Sequence, residues 1–454
     1  MADFDKARCA FCLQDEKKFV RGSAISRLFD GEVTQGILDV LERNGIYRRA
    51  KNVADLSAFV HICTDCILRY AEVELEAQIK HSRSGMADFA PSAILAFLDR
   101  FVIGQPRAKK NLAVSVYKHY ARIRMEEVSR IPSDPYREVE LQKANVLLIG
   151  PTGSGKTLLV STIAKYLDVP FVAIDATAIT EAGYVGLDAD HCIRRLYARS
   201  GNSVSRTERG IVYIDEIDKI ASSSDSIGTR DVGGEGAQQA LLKLIEGTEV
   251  EITQRNEAGV NTKITIDTSN ILFVASGAFP GLSRSIADRT SKKGIGFCGS
   301  PLGKREQDIS AFEVESGDLM RYGLIAEFVG RFPVIETLDS LSREDLLRVL
   351  KEPKNSLVRQ YQKLFRFEGI ELVIEDEVLE HIVDGALKAN TGARGLQGAL
   401  EKAMKDLVFE IPAKKAREPN LIYVKVSKET LYGGEPSYGY AAVEPEGHKR
   451  RARR

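Results

Sequence analysis

The chain has 454 residues, too many for one hydrophobic core, so it is expected to fold into several domains. Its 64 basic and 64 acidic residues balance, which argues against a general attraction to nucleic acid or to anionic membranes. No stretch approaches the ~20 apolar residues of a membrane-spanning helix, and the polar first residues lack the apolar core of a signal peptide. A cytoplasmic location, with thiols kept reduced and no membrane partner, is therefore expected.

Two C-x-x-C pairs mark residues 1–80, which are predicted to form a zinc-binding domain. They are Cys9 with Cys12 and Cys63 with Cys66. Each pair can place two thiolates on one metal, and together they offer the closed four-sulfur tetrahedron of structural Zn²⁺. The spacing between the pairs is longer than in usual zinc ribbons. A redox disulfide, two half-sites and free thiols are the alternatives, and His61 could replace one cysteine.

A polar linker is predicted at residues 81–90, and an α/β region follows it at residues 91–337. Short apolar runs, predicted as strands, cover residues 144–149, 171–174, 211–214 and 271–275. Helical patterns separate these runs. Continuous apolar strands that alternate with helices indicate a parallel sheet with helices on both faces.

A phosphate-binding loop follows the first predicted strand. It matches G-x-x-x-x-G-K-[ST] at every required position and consists of Gly150, Pro151, Thr152, Gly153, Ser154, Gly155, Lys156 and Thr157. Its glycines let backbone N–H groups close around phosphate oxygens, at the start of a helix predicted from Leu158 onward. Lys156 is expected to reach the phosphates of ATP, and the Thr157 hydroxyl to bind Mg²⁺. The flanking strand and helix disfavour a chance glycine-rich turn.

A second element, an apolar run that ends in two acidic residues, favours ATP hydrolysis. The apolar run at residues 210–214 ends in Asp215 and Glu216. In proteins with this type of loop, such a strand lies beside the phosphate-binding strand. Asp215 is then placed to hold Mg²⁺, and Glu216 to orient the attacking water. An ordinary acidic strand end is the alternative, and the complete phosphate loop makes it the weaker one.

The pattern becomes mainly helical after about residue 338, which predicts a small domain at residues 338–432. Its clearest helices are Ser342–Lys351 and Asp376–Lys388, and a last strand is predicted at Leu421–Val426. Residues 433–454 are rich in glycine, proline and tyrosine and have a basic end, so they are expected to be disordered. A solvated charged tail is preferred there over a nucleic-acid contact.

Four groups of residues are more distinctive than the phosphate loop. They are Leu98–Gln105 with Ala108–Lys110, Asp175–Thr177 with Thr180–Gly186, Gly234–Gly236 with Glu246–Gly247, and Thr391–Gly395. These segments resemble the ClpX family, the AAA+ unfoldases of the Clp protease. The similarity covers roughly residues 90–430, plus the paired cysteines. It implies an AAA+ P-loop ATPase fold with a small helical C-terminal domain and an N-terminal zinc-binding domain.

The resemblance implies further nucleotide-binding residues. Val102, Ile103, Gly104 and Gln105 should line the adenine pocket, and Leu158 is expected among the other nucleotide-binding residues. Arg331 corresponds to an arginine finger that reaches the nucleotide of a neighbouring subunit, which requires an oligomer, a hexameric ring in this family. Arg394 corresponds to a sensor arginine that binds nucleotide from the small domain. The alternative for each arginine is an ordinary surface ion pair.

The resemblance also implies contacts with other proteins. Tyr184 and Val185, between two glycines, look like the pore loop that grips substrate polypeptide. Ile295, Gly296 and Phe297 match the tripeptide by which the family docks on the ClpP peptidase. The alternatives are a surface turn and a loop packed on its own domain. The zinc-binding domain of the family recruits adaptors and some substrates.

Two features depart from the family pattern. The segment between the cysteine pairs contains an insertion, and residues 251–263 lack the basic run expected at the pore entrance, which should weaken capture of tags with a free carboxylate. The leading hypothesis is an ATP-driven unfoldase that passes unfolded or tagged proteins to a ClpP-like peptidase and has no peptidase chemistry of its own. A peptidase-independent remodeller, a nucleic-acid motor and a nucleotide-binding scaffold are the alternatives. The neutral charge argues against the motor.

Overall fold

The computed structural model describes residues 19–21, 61–63, 89–128, 139–179, 189–221, 232–255, 261–291, 313–389 and 391–441. The chain divides into two compact units, residues 1–90 with 118–143 and residues 91–117 with 144–454. In the first unit, strand β1 (Phe19–Arg21) pairs antiparallel with strand β2 (His61–Cys63). Cys63, from the second cysteine pair, is the last residue of β2, and Phe19 of β1 lies opposite it.

The other described elements alternate between helices and strands as far as residue 337 and are mainly helical after it. The helices are α1 (Pro91–Asp99), α2 (Pro106–Val128), α3 (Lys156–Leu167), α4 (Asp190–Arg199), α5 (Val204–Thr207), α6 (Val232–Glu246), α7 (Leu282–Ser291), α8 (Ser316–Tyr322), α9 (Ala326–Gly330), α10 (Arg343–Lys351), α11 (Leu357–Phe367), α12 (Asp376–Lys388) and α13 (Gly392–Arg417). The strands are β3 (Val146–Ile149), β4 (Phe171–Asp175), β5 (Ile211–Asp215), β6 (Glu249–Arg255), β7 (Asn261–Asp267), β8 (Leu272–Gly277), β9 (Val334–Thr337), β10 (Glu371–Ile374), β11 (Leu421–Val426) and β12 (Ser437–Tyr440). None of the helices in the described ranges is long and apolar enough to cross a membrane.

A five-stranded parallel sheet forms the centre of the second unit. Its strand order is β4-β5-β8-β3-β9, and each strand runs parallel to its neighbours. The four apolar runs identified in the sequence form four of these strands. The side chains of β3, β5 and β8 are buried almost throughout, as expected of strands flanked by helices. The predicted α/β fold with a parallel sheet is therefore confirmed.

The fifth strand, β9, is absent from the sequence-based prediction because its four residues include a charge and form no apolar run. It lies at the edge of the sheet, where Val334 pairs with Val146 of β3. Glu336 of this strand is nevertheless buried, and its carboxylate accepts a hydrogen bond from Asn111 Nδ2 (2.6 Å). Burial raises the pKa of Glu336 above its usual value.

The carboxyl ends of three adjacent strands meet at one edge of this sheet. The phosphate loop follows β3, Asp215 ends β5, and Ser276 and Gly277 end β8, which lies between them. The expectation that β5 lies directly beside β3 is therefore wrong, because β8 pairs with both strands. Because parallel strands point the same way, these residues come together although they are far apart in sequence. We call this the carboxyl edge, and the opposite side of the sheet the amino edge.

A second hydrophobic core is built from residues 346–426. Helices α10 to α13 pack with a three-stranded sheet of order β10-β11-β12. Helix α10 begins after Ser342, whose hydroxyl accepts a hydrogen bond from the Asp345 N–H in a capping box. The predicted helices at residues 342–351 and 376–388 and the predicted strand Leu421–Val426 are confirmed to within one residue.

Part of the C-terminal stretch is ordered, contrary to the sequence-based expectation. Strand β12 pairs antiparallel with β11, and Val424 lies opposite Tyr438. The ammonium of Lys414 lies 3.2 Å from the centre of the Tyr438 ring, and the Tyr440 hydroxyl donates to Glu418 (2.7 Å). The expected disorder from residue 433 is therefore wrong as far as residue 441, because the tyrosines anchor a strand. Residues 442–454 lie outside the described residues.

Strands β6 and β7 form an antiparallel hairpin that includes most of the stretch expected to carry a basic run. Val250, Ile252 and Ile266 are buried on one face of the hairpin. On the exposed face, Lys263 pairs with Glu251 (2.8 Å), so one of its few cations is neutralised within the hairpin.

Candidate nucleotide-binding and hydrolysis site

The phosphate loop joins the buried strand β3 to helix α3. The N–H of Gly150 donates to the carbonyl oxygen of Gly277 on β8 (3.1 Å), which ties the start of the loop to the sheet. Gly153 has a φ of +83°, a left-handed conformation that glycine adopts without a steric penalty. The loop ends at the N-terminus of α3, where backbone N–H groups and a partial positive charge favour phosphate oxygens.

Lys156 is the first residue of α3 and its ammonium lies within the loop. It donates to the carbonyl oxygens of Gly150 (2.6 Å) and Pro151 (3.0 Å). Burial lowers the pKa of Lys156, while the negative charges of Asp215 and Asp218 act in the opposite direction. These two carboxylates therefore favour the charged ammonium that a polyphosphate requires.

The hydroxyl of Thr157 contacts two groups from strand β5, and a third polar residue, Ser276 of β8, contacts both of these. Thr157 Oγ1 lies 3.1 Å from the Tyr213 hydroxyl and 3.4 Å from Asp215 Oδ2. The Tyr213 hydroxyl lies 2.6 Å from Ser276 Oγ, which in turn donates to Asp215 Oδ1 (2.6 Å). Burial is the main reason that the pKa of Tyr213 rises to about 12, so the phenol stays neutral.

The oxygen atoms of Thr157 and Asp215 fit a magnesium ion. Both are hard oxygen donors, and the half-buried Asp215 places its Oδ2 3.4 Å from the hydroxyl of Thr157 at the end of the phosphate loop. Mg²⁺ held there would neutralise charge on the phosphates of ATP. In the part of the chain that the structure describes, no cluster of three or more His, Cys, Asp and Glu residues could hold a metal ion. A Thr–Asp pair that shares the ion with phosphates does not require such a cluster.

Glu216 lies directly beside this pair, in a strained backbone conformation. Its φ is +57°, in the left-handed region that residues other than glycine rarely adopt, and its N–H donates to Asp215 Oδ1 (3.1 Å). Its side chain is exposed, whereas the next residue, Ile217, is fully buried at the start of a short 3₁₀ helix. The turn therefore presents a carboxylate to solvent at the carboxyl edge, where a general base would be placed.

The start of helix α13 lies against the phosphate loop. A Cβ atom on Gly153 would lie 3.1 Å from the Thr391 carbonyl oxygen, and one on Gly392 would lie 3.1 Å from the Thr152 carbonyl oxygen. Arg394 follows in the first turn of this helix, and its positive charge contributes to the lowered pKa of Lys156. The structure thus brings Arg394 to the loop, as expected for a residue that contacts phosphates.

A cavity of about 380 Å³ lies between the α1–α2 connection and helix α10. Its lining includes Val102, Ile103, Gly104, Arg348, Glu352 and Lys354. The volume is sufficient for a purine base, and the first three of these residues are among the four expected to line the adenine pocket. Leu158, by contrast, is 49% exposed on α3 and does not line this cavity.

Gln105 connects this cavity to the loop and to the chain beyond β9. Its amide oxygen accepts from the Asp339 N–H (2.9 Å), and its amide nitrogen donates to the Asp339 carbonyl oxygen (2.8 Å). The same nitrogen lies 3.5 Å from the Ser154 carbonyl oxygen in the phosphate loop. Gln105 is buried, and its φ is +57°. A single side chain therefore links its own segment to two others.

Arg331 lies at the amino edge of the sheet, away from the other predicted nucleotide contacts. Its carbonyl oxygen accepts from Asn145 Nδ2 (3.1 Å), and Asn145 immediately precedes β3. The five residues from there to Gly150 span roughly 16 Å of extended chain. The Arg331 side chain is 52% exposed, and its Nε donates to Glu246 at the end of α6 (2.9 Å). It therefore does not share the carboxyl edge with Lys156, Asp215 and Glu216.

Several predicted site residues lie outside the described residues. They are Tyr184 and Val185 of the expected pore loop, Ile295, Gly296 and Phe297 of the expected docking tripeptide, and Cys9, Cys12 and Cys66 of the expected zinc site. Cys63 ends strand β2, but its side chain is not described. Cys192 is buried in the core beside the sheet.

Sequence reasoning misses two polar residues of this site, Tyr213 and Ser276. Tyr213 lies inside an apolar run and resembles any buried aromatic residue of a strand. Ser276 carries a weak signal, because it is a polar residue at the end of a predicted buried strand. Its neighbours become known only with the strand order, which inserts β8 between β3 and β5.

Two family models match successive parts of the chain. Residues 141–335 match the AAA domain (Cdc48 subfamily), and residues 341–423 match the C-terminal, D2-small domain of ClpB protein. The first match contains the phosphate loop and both carboxylates, and the second contains Arg394. An AAA domain indicates an ATPase that uses nucleotide and Mg²⁺. The chain thus carries an AAA+ ATPase domain followed by a small domain of the ClpB type, which indicates an AAA+ protein of the Clp/Hsp100 type.

Proposed function

We propose that this protein is an ATP-driven unfoldase of the ClpX type, which acts as a homo-hexameric ring and passes substrate proteins to a ClpP-like peptidase. The observation that carries the proposal is the position of Arg331, at the opposite edge of the sheet from the phosphate loop. An arginine finger placed there serves the nucleotide of another subunit, which links ATP hydrolysis to assembly.

The residues at the carboxyl edge divide the chemistry of hydrolysis among them. Lys156 and the N–H groups of the loop hold the phosphates, and Thr157 with Asp215 holds Mg²⁺. Glu216 polarises the attacking water from its exposed turn. Burial of Lys156 between carboxylates and the loop strengthens its attraction to phosphate, because charges interact more strongly away from water.

Arg331 completes the site of the adjacent subunit. Its side chain is half exposed, and its backbone is anchored to the sheet by the buried Asn145. Glu246 holds the guanidinium group in one orientation in the single chain. A cation fixed at the rim of a subunit is suited to reach a phosphate that a neighbour presents.

Helix α13 couples nucleotide to movement of the small domain. Its first residues touch the phosphate loop through Gly153 and Gly392, and Arg394 projects from its first turn. Binding and loss of the terminal phosphate change the charge that Arg394 faces, which shifts the angle between the two hydrophobic cores. Tyr184 and Val185, between glycines, are then the residues that grip and move polypeptide in the pore.

The partner surfaces of the proposed ring rest on sequence alone. Ile295, Gly296 and Phe297 are the docking tripeptide for the peptidase, and residues 1–80 form a Zn²⁺-binding domain through Cys9, Cys12, Cys63 and Cys66 that receives adaptors. The domains are residues 91–337 and 338–432, after a linker at residues 81–90. The internally neutralised Lys263 of the β6–β7 hairpin supports a weaker preference for tags that end in a carboxylate.

A trapping experiment tests the function. Glu216→Gln should bind ATP but hydrolyse it at least about 10² times more slowly, because the general base is lost. Rings of this variant, isolated from cells together with a co-expressed ClpP-like peptidase, should retain captured polypeptides that mass spectrometry identifies. The matched control Glu249→Gln, an exposed acid outside the site, should hydrolyse ATP normally and retain none.

The outcomes separate the competing functions. Captured polypeptide without peptidase would favour a remodeller that works alone, and captured nucleic acid without polypeptide would overturn the proposal. Replacing Ile295 and Phe297 by serine should abolish degradation while leaving ATP-dependent unfolding intact. Degradation at an unchanged rate would refute the docking assignment.

A further inference from the structure

Three hydroxyl groups and one carboxylate form a chain of hydrogen bonds at the carboxyl edge. The chain runs from Thr157 to Tyr213 (3.1 Å), from Tyr213 to Ser276 (2.6 Å) and from Ser276 to Asp215 (2.6 Å). Tyr213 and Ser276 are fully buried, so bulk water does not compete for their hydroxyl groups. The three residues come from α3, β5 and β8, and these elements hold the chain in place.

The direction of each hydrogen bond follows from the number of protons available. An ionised Asp215 can only accept hydrogen bonds, so the one hydroxyl proton of Ser276 must be donated to Asp215 Oδ1. Ser276 Oγ therefore accepts from the Tyr213 hydroxyl, which has no second proton to give. Tyr213 Oη in turn accepts from Thr157. The four groups form a single-direction chain that ends on the carboxylate.

We propose that Tyr213 is a positioning residue for magnesium, because its phenol oxygen takes the Thr157 proton and thereby turns the lone pairs of Thr157 toward the cation. A hydroxyl oxygen can bind a cation only when its own proton points elsewhere. Without the phenol oxygen, the remaining acceptor in this set of contacts is Asp215 Oδ2, 3.4 Å away. A Thr157 proton placed there would face the second expected magnesium ligand. This role of Tyr213 concerns nucleotide and Mg²⁺ alone, and it holds whether or not the protein unfolds others.

The test is the effect of Mg²⁺ on nucleotide affinity in the full-length chain. The affinity for a fluorescent ADP is measured by titrating the nucleotide, first in the presence of EDTA and then at a range of Mg²⁺ concentrations. Tyr213→Phe should leave the affinity in EDTA unchanged within about twofold, since no phosphate contact is altered. The Mg²⁺ concentration at half-maximal effect should rise about tenfold, the value of one hydrogen bond to the ligand pair.

Two further variants make the result decisive. Tyr197→Phe removes another buried hydroxyl, which donates to Gln254 (3.1 Å) and takes no part in the chain that ends on Asp215. This variant should leave the Mg²⁺ midpoint unchanged. Ser276→Ala breaks the next link and should shift the midpoint in the same direction as Tyr213→Phe. The double variant should shift it no further than the larger single change, because both act through one chain.

The inference is overturned if either variant at residues 213 and 276 binds Mg²⁺ with the unaltered midpoint. It is also overturned if Tyr213→Phe lowers the affinity in EDTA as much as the affinity with Mg²⁺, since the phenol would then act through packing. Should Tyr213→Phe fail to fold, Ser276→Ala alone decides between these outcomes.

Discussion

The two edges of the parallel sheet differ in how they hold their functional side chains. At the carboxyl edge, Thr157, Tyr213, Asp215 and Ser276 bond to one another, and half of this set is fully buried. At the amino edge, the exposed Arg331 meets one exposed carboxylate, and only its backbone is anchored in the interior.

The difference fits two kinds of task. A bonded, buried set fixes a metal and a nucleotide without reorganisation, as a site that works within one chain requires. An exposed cation on a fixed backbone remains free to meet a group from outside the chain. Since both edges belong to the same strands, their separation is set by strand length, and the sheet maintains the distance between them. In the proposed ring, each sheet would link the nucleotide of its own subunit to that of the next.

The largest expected effect tests this division between chains. Arg331→Ala should lower ATP turnover about 10³-fold, and Lys156→Ala should abolish nucleotide binding. Mixing the two inactive proteins should restore activity, because an intact nucleotide site then meets an intact finger from its neighbour. Random mixing would recover about a quarter of the normal turnover, since half of the sites are intact and half of those have a competent neighbour. Mixed rings that stay inactive would place Arg331 in its own site.

The buried anchor of the amino edge comes next. Asn145→Ala removes the hydrogen bond to the Arg331 carbonyl oxygen and the one from the Phe273 N–H (3.3 Å), in a side chain that is only 2% exposed. Urea denaturation should show a loss of about 1–3 kcal/mol, the cost of unpaired buried polar groups. The exposed Asn355→Ala should change stability by less than about 0.5 kcal/mol. Equal effects of the two variants would remove the distinction between anchor and surface.

Two glycines of helix α13 test the contact between its start and the phosphate loop. Gly392→Ala places a methyl group at a φ of +54° and 3.1 Å from the Thr152 carbonyl oxygen, so it should cost about 1–2 kcal/mol and weaken ADP binding. Gly398→Ala adds the same group to the same helix where no atom lies within 4 Å. It should stabilise the protein by about 0.5–1 kcal/mol without affecting ADP. Thermal unfolding with and without ADP distinguishes the two variants. Equal ADP affinities would show that the start of the helix plays no part in nucleotide binding.

The smallest effect is expected at the exposed ion pair of the amino edge. Glu246→Gln should change the free energy of unfolding by less than about 0.5 kcal/mol, as for other exposed pairs. It should lower the turnover of the assembled protein about twofold to threefold without changing KM, because the guanidinium group of Arg331 loses its fixed orientation. Asp384→Asn, which breaks the exposed pair with Arg343 (2.8 Å), is the control. A changed KM would instead indicate an altered nucleotide site.

Much of the fold can be predicted from the sequence, because its strands are continuous apolar runs that end in diagnostic residues. The phosphate loop and Asp215 with Glu216 lie at one sheet edge, as their motifs predict, but β8 separates the two strands expected to be neighbours. Strand β9 and the ordered Ser437–Tyr440 escape prediction, since a four-residue edge strand owes its position to pairing and not to its own pattern. The roles of Tyr213 and Ser276 cannot be predicted from the sequence for another reason, because hydrogen-bond partners across strands depend on strand order.

The side-chain amide of Gln105 has a mechanical consequence. It pairs with both backbone polar groups of Asp339, as another strand would, and also approaches the carbonyl oxygen of Ser154. Asp339 lies where the chain leaves the sheet for the helical core, so one planar group links the start of that core to the phosphate loop. In the proposed unfoldase, a rotation of residues 341–441 and a displacement of the loop would be coupled for as long as the amide stays bonded. Gln105 would then transmit a small shift at the phosphates to residues 341–441.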